Sequence, residues 1–187
     1  MEATALEGGF EDEPRQAARA FRGLMNAMAR PGRIEEVRGA APPAGLSPAA
    51  GTVLLTLADP ETPVHLAGAA DTGEIRAWSA FHCGAPLAPP AEAAFAVGRW
   101  DALGPLERYP VGTPEYPDRS TTLIVEMPEL VQAGSVLTGP GIKDSVQFAL
   151  PAPEALRRNA AQFPLGLDFY FTCGSRVAAL PRTTRIG

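Results

Sequence analysis

The chain has 187 residues, of which 45% are hydrophobic and 20% are charged, and this length and composition suit one domain with a sizeable core. The formal net charge of -5 argues against non-specific nucleic-acid binding as the main activity. Two cysteines are too few for a disulfide framework, no signal peptide is recognisable, and no apolar run approaches the roughly 18 residues that span a bilayer. We therefore expect a cytoplasmic protein with a single domain over residues 1–187 and neither a nucleic-acid nor a membrane partner.

The N-terminal part of the sequence contains the clearest helix signal, over residues 13–29. Pro14 suits the first turn, and apolar residues then recur at three- and four-residue spacing until Pro31-Gly32 ends the pattern. The apolar residues expected to face the core are Ala17, Phe21, Leu24, Met25 and Met28. A short strand is predicted next, over residues 33–38.

Two further helices are predicted in the first half of the chain. The apolar run at 49–58 is short enough to be either a buried helix or a buried strand, and we favour a helix because Asp59-Pro60 ends it. Residues 72–81 have an amphipathic helical pattern. The residues of this helix expected to face the core are Ile75, Trp78 and Phe81. Strands are predicted at 64–67 and 94–97.

Strands dominate the pattern in the C-terminal half of the chain. They are predicted at 121–127, 135–138, 146–150, 167–173 and 176–180, with one helix at 153–162. The last two strands are separated only by Gly174-Ser175, which predicts a hairpin. Helices interspersed with strands of this kind predict an α/β sandwich with a mixed sheet, antiparallel at one side.

One candidate ligand segment is the turn Thr138-Gly139-Pro140-Gly141, which follows a predicted strand. Glycines leave backbone N–H groups accessible, and such a concavity can hold a phosphate. The segment has neither the spacing of a P-loop nor that of a dinucleotide-binding turn. A purely structural turn is the alternative interpretation.

The second candidate segment is the C-terminal sequence Arg182-Thr183-Thr184-Arg185, directly after the last predicted strand. Arginine offers a planar set of donors for phosphate or carboxylate, and the threonine hydroxyls add further donors. Asp168, at the start of strand 167–173, is a possible inward-facing acid. The alternative interpretation is a solvated tail and an acid that faces water.

Other chemistry receives less support from the sequence. The residues that could bind a metal ion, His65, His82, Cys83 and Cys173, lack recognisable ligand spacing. The only lysine, Lys143, could form a Schiff base with pyridoxal phosphate, with Thr138–Gly141 holding the phosphate and Asp168 facing the pyridinium nitrogen. A chain of 187 residues is short for an enzyme that encloses both this cofactor and a substrate.

An ordered set of short motifs along the chain resembles the PhnH family, the H subunit of the bacterial carbon–phosphorus lyase system for phosphonate utilisation. The motifs are FRGLMNAM at 21–28 with Pro31-Gly32, VLLTLAD at 53–59 with Thr62-Pro63, AFAV at 94–97, LTGPGI at 137–142, FPLGLD at 163–168 and LPRTT at 180–184. Each motif is short, but the whole set in this order is specific. Residues 99–119 and the first ten residues carry little of the resemblance.

The resemblance implies a fold and a role that composition does not show. The family fold resembles the three-layer α/β/α sandwich of pyridoxal-phosphate-dependent transferases without the cofactor, which makes Lys143 incidental. The isolated subunit is typically a homodimer, and in the core complex it joins subunits G, I and J. The complex transfers a phosphonate onto the ribose of ATP and releases adenine, and no catalytic group is assigned to the H subunit.

The leading hypothesis is therefore an accessory subunit of this complex with no cofactor or metal of its own. Its interface, or a site for ATP or a phosphonate nucleotide beside that interface, would use residues from both C-terminal segments. These residues are Thr138, Gly139, Gly141, Asp168, Arg182, Thr183, Thr184 and Arg185. A free-standing pyridoxal-phosphate transferase using Lys143 and a pure scaffold without a ligand site are the alternatives.

Overall fold

The computed structural model describes residues 7–187, which form an α/β structure around a mixed sheet. Five α-helices are present in this range: α1 (Glu13–Ala29), α2 (Pro48–Leu57), α3 (Gly73–Cys83), α4 (Trp100–Leu103) and α5 (Pro153–Ala160). The strands of the same range are β1 (Glu35–Glu36), β2 (Val64–Leu66), β3 (Phe95–Arg99), β4 (Thr122–Glu126), β5 (Ser135–Thr138), β6 (Val146–Phe148), β7 (Asp168–Cys173), β8 (Arg176–Leu180) and β9 (Arg185–Ile186).

The larger sheet has six strands in the order β1-β8-β7-β4-β3-β2. Strands β2, β3, β4 and β7 are parallel, whereas β8 runs antiparallel to both of its neighbours. The prediction of an α/β fold with a mixed sheet that is antiparallel at one side is confirmed, as is the β7–β8 hairpin.

A smaller antiparallel sheet has the strand order β6-β5-β9. The β5–β6 pair was predicted on either side of the Gly-Pro-Gly turn, and it is confirmed. The third strand was not predicted, because two residues at the C-terminus carry no alternation of polar and apolar side chains that could indicate a strand.

The two faces of the six-stranded sheet support two hydrophobic clusters. Along β4, Ile124 belongs to one cluster while Leu123 and Val125 belong to the other, because successive side chains of a strand alternate between faces. The first cluster includes buried residues of α1, α2 and α3. The second includes Leu156 of α5 and Phe148 of the small sheet.

Local signals explain where the helices of the first face begin and end. The Ser47 hydroxyl accepts a hydrogen bond from the Ala50 N–H at 3.1 Å and caps α2, which confirms the helical choice for the run at 49–58. The Thr72 hydroxyl caps α3 in the same way by accepting from the Ile75 N–H at 3.2 Å. Helix α3 ends at Gly84, whose positive φ of +64° suits glycine.

Three residues predicted to face the core are exposed instead. Phe21 and Met25 of α1 are 53% and 52% exposed, because α1 packs through a narrow stripe of Ala20, Leu24 and Ala27. Such a stripe leaves the flanking apolar side chains outside the core.

Phe81 of α3 was also predicted inward, and it is 59% exposed. The buried arc of α3 runs from Trp78 through Ile75 to Cys83. Since each residue advances about 100° around a helix, Phe81 lies about 60° beyond Trp78 and outside this arc.

Residues 99–119, which carry little of the family resemblance, form α4, a single turn of 3₁₀-helix at Leu106–Arg108 and connecting loops. Leu103 and Tyr109 from this segment are buried in the second cluster. Residues of this segment and of α5 line a half-open pocket of about 380 Å³. Among residues 7–187, no helix combines the length and the apolar character that crossing a membrane requires.

Candidate functional site

The two C-terminal segments predicted as a ligand or interface surface lie side by side in the structure. Strand β5 pairs with β9, and this antiparallel register places Thr138 opposite Arg185. Gly139 has a φ of +127°, and a Cβ atom there would lie 3.2 Å from the Thr183 carbonyl oxygen. The predicted turn and the predicted tail therefore form one surface, although they are far apart in the sequence.

The Gly-Pro-Gly turn packs against the end of α1. A Cβ atom on Gly141 would lie 2.0 Å from the Ala29 carbonyl oxygen and 3.2 Å from Cδ of Pro31. Gly141 also has a φ of +81°, which disfavours other residues. Close backbone approach and positive φ give this glycine a structural role, which was one of the two interpretations of the turn.

Asp168 and Arg182 form an ion pair that is largely shielded from water, with side-chain exposures of 22% and 11%. Oδ1 of Asp168 accepts from the Arg182 backbone N–H at 2.8 Å and from its Nε–H at 3.1 Å. Oδ2 accepts from Nη2 of the same arginine. The segment that follows β8 thus binds both oxygens of the carboxylate at the start of β7.

The remaining donors of Arg182 bind the loop that precedes β4. Nη1 donates to the Pro117 carbonyl oxygen at 2.7 Å, and Nη2 also donates to the Ser120 hydroxyl. We define Arg182, Asp168, Pro117 and Ser120 as the arginine clamp. Because these groups occupy the guanidinium, an external anion would have to displace part of the clamp in order to bind Arg182.

The other residues of the predicted C-terminal site have different environments. Thr184 is only 1% exposed, and its hydroxyl has no hydrogen-bond partner among residues 7–187. Thr183 is half-buried, and Arg185 is exposed. A ligand or partner at this surface stays a prediction, with Arg185 as its most accessible cation.

The structure also places the residues of the less favoured chemistries. Lys143 is exposed between β5 and β6, while Asp168, its proposed partner in a pyridoxal-phosphate site, belongs to the arginine clamp. Burial raises the pKa of the Cys83 thiol to about 11, so this group is protonated at neutral pH. Among residues 7–187, no three His, Cys, Asp or Glu side chains come together as a possible metal site.

A polar crevice at the carboxyl ends of the parallel strands was not predicted. The register of β3, β4 and β7 places Arg99, Glu126 and Thr172 in one row at these ends. Ser47, at the start of α2, lies above the row and donates its backbone N–H to Oε1 of Glu126 at 2.6 Å. The carboxyl edge of a parallel sheet is where open α/β folds bind ligands.

Glu126 is the central residue of this row. Its Oε2 lies 3.2 Å from the Thr172 hydroxyl, whose single proton can be donated to this oxygen or to the Val125 carbonyl oxygen at 3.3 Å. Burial raises the pKa of Glu126, and this effect exceeds the opposing effect of the hydrogen bonds from Ser47 and Thr172. A carboxyl group with a raised pKa at the mouth of a crevice is typical of functional sites.

One sequence signal could have found Glu126. It is an acid that directly follows the buried run Leu123-Ile124-Val125, and polar residues at the carboxyl end of a buried parallel strand often serve ligand binding. Arg99 and Thr172 can be assigned to the same site as Glu126 only once β4 is known to pair with β3 and β7. That pairing depends on long-range contacts that a single sequence does not reveal.

Comparison with known proteins identifies the family. A family model described as "Bacterial phosphonate metabolism protein (PhnH)" matches residues 8–187. A protein of Rhizobium meliloti (strain 1021) named "Alpha-D-ribose 1-methylphosphonate 5-triphosphate synthase subunit PhnH" is 41% identical, and the alignment covers 96% of this chain and 94% of that protein. "Putative C-P lyase subunit protein HtxG" of Stutzerimonas stutzeri is 32% identical, with 92% and 86% covered. The chain belongs to the PhnH family of bacterial phosphonate metabolism proteins.

The arginine clamp generates a prediction about stability. Replacing Arg182 with glutamine leaves Asp168 without its cation and the 117–120 loop without two hydrogen bonds. We expect the Arg182→Gln variant to lose about 2–4 kcal/mol of unfolding free energy in urea denaturation.

The matched control for this prediction is Arg185→Gln, since Arg185 is exposed and makes no ion pair among residues 7–187. We expect its unfolding free energy to stay within about 0.5 kcal/mol of the wild type. Equal stability of the two variants would show that Arg182 does not hold the structure together.

The raised pKa of Glu126 generates a prediction about pH. The folded chain holds the Glu126 proton more tightly than the unfolded chain does, so this contribution favours folding below the ordinary value of 4.5. It is lost as the pH rises through the folded-state pKa. We therefore expect Glu126→Gln to be more stable than the wild type at neutral pH, and this advantage to disappear below pH 4.5.

Chemical denaturation of the wild type and of Glu126→Gln, at neutral pH and below pH 4.5, measures this difference in stability. Glu129→Gln is the control, because Glu129 is exposed just beyond the same strand. An advantage of Glu126→Gln that is the same at both pH values, or that grows on acidification, would contradict a desolvated carboxylate at this position.

Proposed function

We propose that this chain is an accessory subunit of a bacterial carbon–phosphorus lyase core complex, which attaches an alkylphosphonate to the ribose of ATP and releases adenine. The observation that carries the proposal is the 41% identity to a protein named as a subunit of alpha-D-ribose 1-methylphosphonate 5-triphosphate synthase. The second relative, named as a C-P lyase subunit, supports the same role. Subunits G, I and J are the proposed partners.

The proposal includes the finer points of fold and location that the family resemblance implies. These are a single domain, a cytoplasmic protein, and a three-layer α/β/α form related to pyridoxal-phosphate-dependent transferases without the cofactor. The three helices on one face of the sheet and α5 on the other support the layered form.

An accessory role is supported by how the protein uses its own reactive groups. Asp168 and Arg182 are committed to the arginine clamp, and Cys83 is a protonated, buried thiol at neutral pH. A group that is held by neighbours or shielded from water is a poor acid, base or nucleophile. The other subunits would therefore supply the catalytic groups for phosphonate transfer.

A surface for these partners is available on α1. Phe21 and Met25 are one turn apart on the same side of the helix, and each exposes about half of its side chain. Large exposed apolar side chains in pairs are typical of protein–protein contact sites. We define Phe21 and Met25 as the α1 surface, and we propose that it contacts another subunit in the complex and a second copy of the chain in an isolated homodimer.

The predicted C-terminal surface lies near the end of the same helix. The Gly-Pro-Gly turn packs on Ala29, the last residue of α1, and β9 follows it in the small sheet. Residues Thr138, Gly139, Thr183 and Arg185 could therefore extend the contact surface beyond the α1 residues. An anionic ligand beside this interface remains part of the proposal, with Arg185 as the exposed cation.

Affinity purification from cells that express all core subunits tests this proposal. We expect the tagged wild-type chain to recover the other subunits, and the Phe21→Glu variant to recover them at least about tenfold less, because a buried carboxylate would replace an apolar contact. The matched control is Phe163→Glu, since Phe163 is 59% exposed and lies outside α1. This control should recover the partners normally.

Three outcomes would contradict the proposal or its interface. Release of adenine from ATP and methylphosphonate by the purified chain alone would show that it is a catalyst and not an accessory subunit. Failure of the wild-type chain to recover any core subunit would rule out its place in the complex. Loss of recovery with Phe163→Glu but not with Phe21→Glu would place the interface elsewhere on the molecule.

A further inference from the structure

The crevice at the carboxyl ends of the parallel strands is lined by Arg99 and Glu126, and the buried Thr172 supports Glu126 from the next strand. Arg99 of β3 is the register partner of Glu126 in β4, and Glu126 is the register partner of Thr172 in β7. Side chains at paired positions of neighbouring strands point to the same face of a sheet. A guanidinium, a carboxyl group and a hydroxyl therefore stand side by side.

The segments around this row border an open depression of about 290 Å³. The connection before α2 contributes Gly45 and Ser47, and the connection after β2 contributes Ala69 and Ala70. The small side chains of these residues leave the row open to a ligand. Sites for small molecules usually have about 300–1,000 Å³, so this crevice suits a small polar ligand better than a complete nucleotide.

Arg99 and Glu126 do not neutralise each other, although they are adjacent in the register. Arg99 instead forms an ion pair with Asp101 at 3.9 Å, and both of these side chains are largely exposed. A surface pair of this kind contributes little free energy and is easily exchanged for a ligand. Glu126 makes no ion pair among residues 7–187, and its hydrogen bonds come from a backbone N–H and a hydroxyl.

The carboxyl group of Glu126 retains capacity for a further hydrogen bond. Each of its oxygens has two lone pairs, and Ser47 and Thr172 use one on each oxygen. A ligand hydroxyl could therefore donate to Glu126, while an anionic group of the same ligand could bind the guanidinium of Arg99. The crevice thus offers one acceptor and one cation at neighbouring positions.

We propose that this crevice binds a phosphorylated or phosphonylated pentose, with a sugar hydroxyl on Glu126 and the phosphorus oxyanion on Arg99. This inference rests on the proposed function, because the named activity of the Rhizobium meliloti relative concerns a ribose that carries phosphonate and phosphate groups. It assigns the sugar to the carboxyl edge of the sheet and not to the C-terminal surface.

Isothermal titration calorimetry with D-ribose 5-phosphate tests the assignment on the purified full chain and on the assembled complex. We expect a dissociation constant of about 1 mM or tighter, and weaker binding of inorganic phosphate or ribose alone. Glu126→Gln and Arg99→Gln should each weaken binding at least about tenfold, because each removes a charge-assisted hydrogen bond.

The matched control is Arg15→Gln, which removes an exposed arginine near the start of α1, outside every proposed site, and should change affinity less than twofold. Circular dichroism of all variants checks that they are folded. Absence of binding to both the chain and the complex overturns the inference. So does binding that survives Glu126→Gln and Arg99→Gln, or that is lost with Arg15→Gln.

Recovery of partner subunits by the same variants separates this inference from the proposed function. If the chain recovers its partner subunits but does not bind the sugar phosphate, the crevice assignment is overturned and the accessory role is still supported. If the sugar phosphate binds at Glu126 and Arg99 but no partner subunit is recovered, the crevice assignment is supported and the role in the complex is overturned.

Discussion

The register of β4 against β7 is the constraint on which the polar side-chain arrangements at both ends of the six-stranded sheet depend. At one end it pairs Thr122 with Asp168, whose carboxylate holds Arg182 and, through it, the loop before β4. At the other end it pairs Glu126 with Thr172 and brings both under the start of α2. A shift by one residue would move the side chains of β4 to the opposite faces and would dismantle both arrangements.

The two ends of the sheet consequently have different roles. At the amino end, the arginine clamp satisfies a carboxylate and most of the donors of a guanidinium, so charge is used for stability. At the carboxyl end, Arg99 and Glu126 are register partners without forming an ion pair, and Arg99 makes only an exposed contact with Asp101 at 3.9 Å. The α1 surface lies on a helix of one face, and we propose that it contacts the partner subunits while the crevice binds a sugar phosphate.

Much of the architecture could be predicted from the sequence, because it depends on local patterns. Helix α1 follows from the position of Pro14 and from apolar spacing, and the β7–β8 hairpin follows from Gly174-Ser175 between two apolar runs. The family could also be recognised, since its motifs are local. The environment of Arg182 could not be predicted from the sequence, because the hydrogen-bond partners of its side chain are 14 to 65 residues away along the chain. The exposure of Phe21 depends on how narrow the packed stripe of α1 is, and the desolvation of Glu126 depends on the approach of Ser47. Both depend on tertiary packing, which local sequence patterns do not reveal.

The central claim is that a PhnH-family chain contributes a sugar-phosphate crevice to a larger assembly. A structure of the assembled complex with its ribose phosphonate product bound tests this most directly. We expect a sugar hydroxyl within hydrogen-bond distance of Glu126, a phosphorus oxyanion in contact with Arg99, and Phe21 and Met25 buried by another subunit. An empty crevice, with the product bound along Thr183–Arg185 or entirely within other subunits, would contradict it.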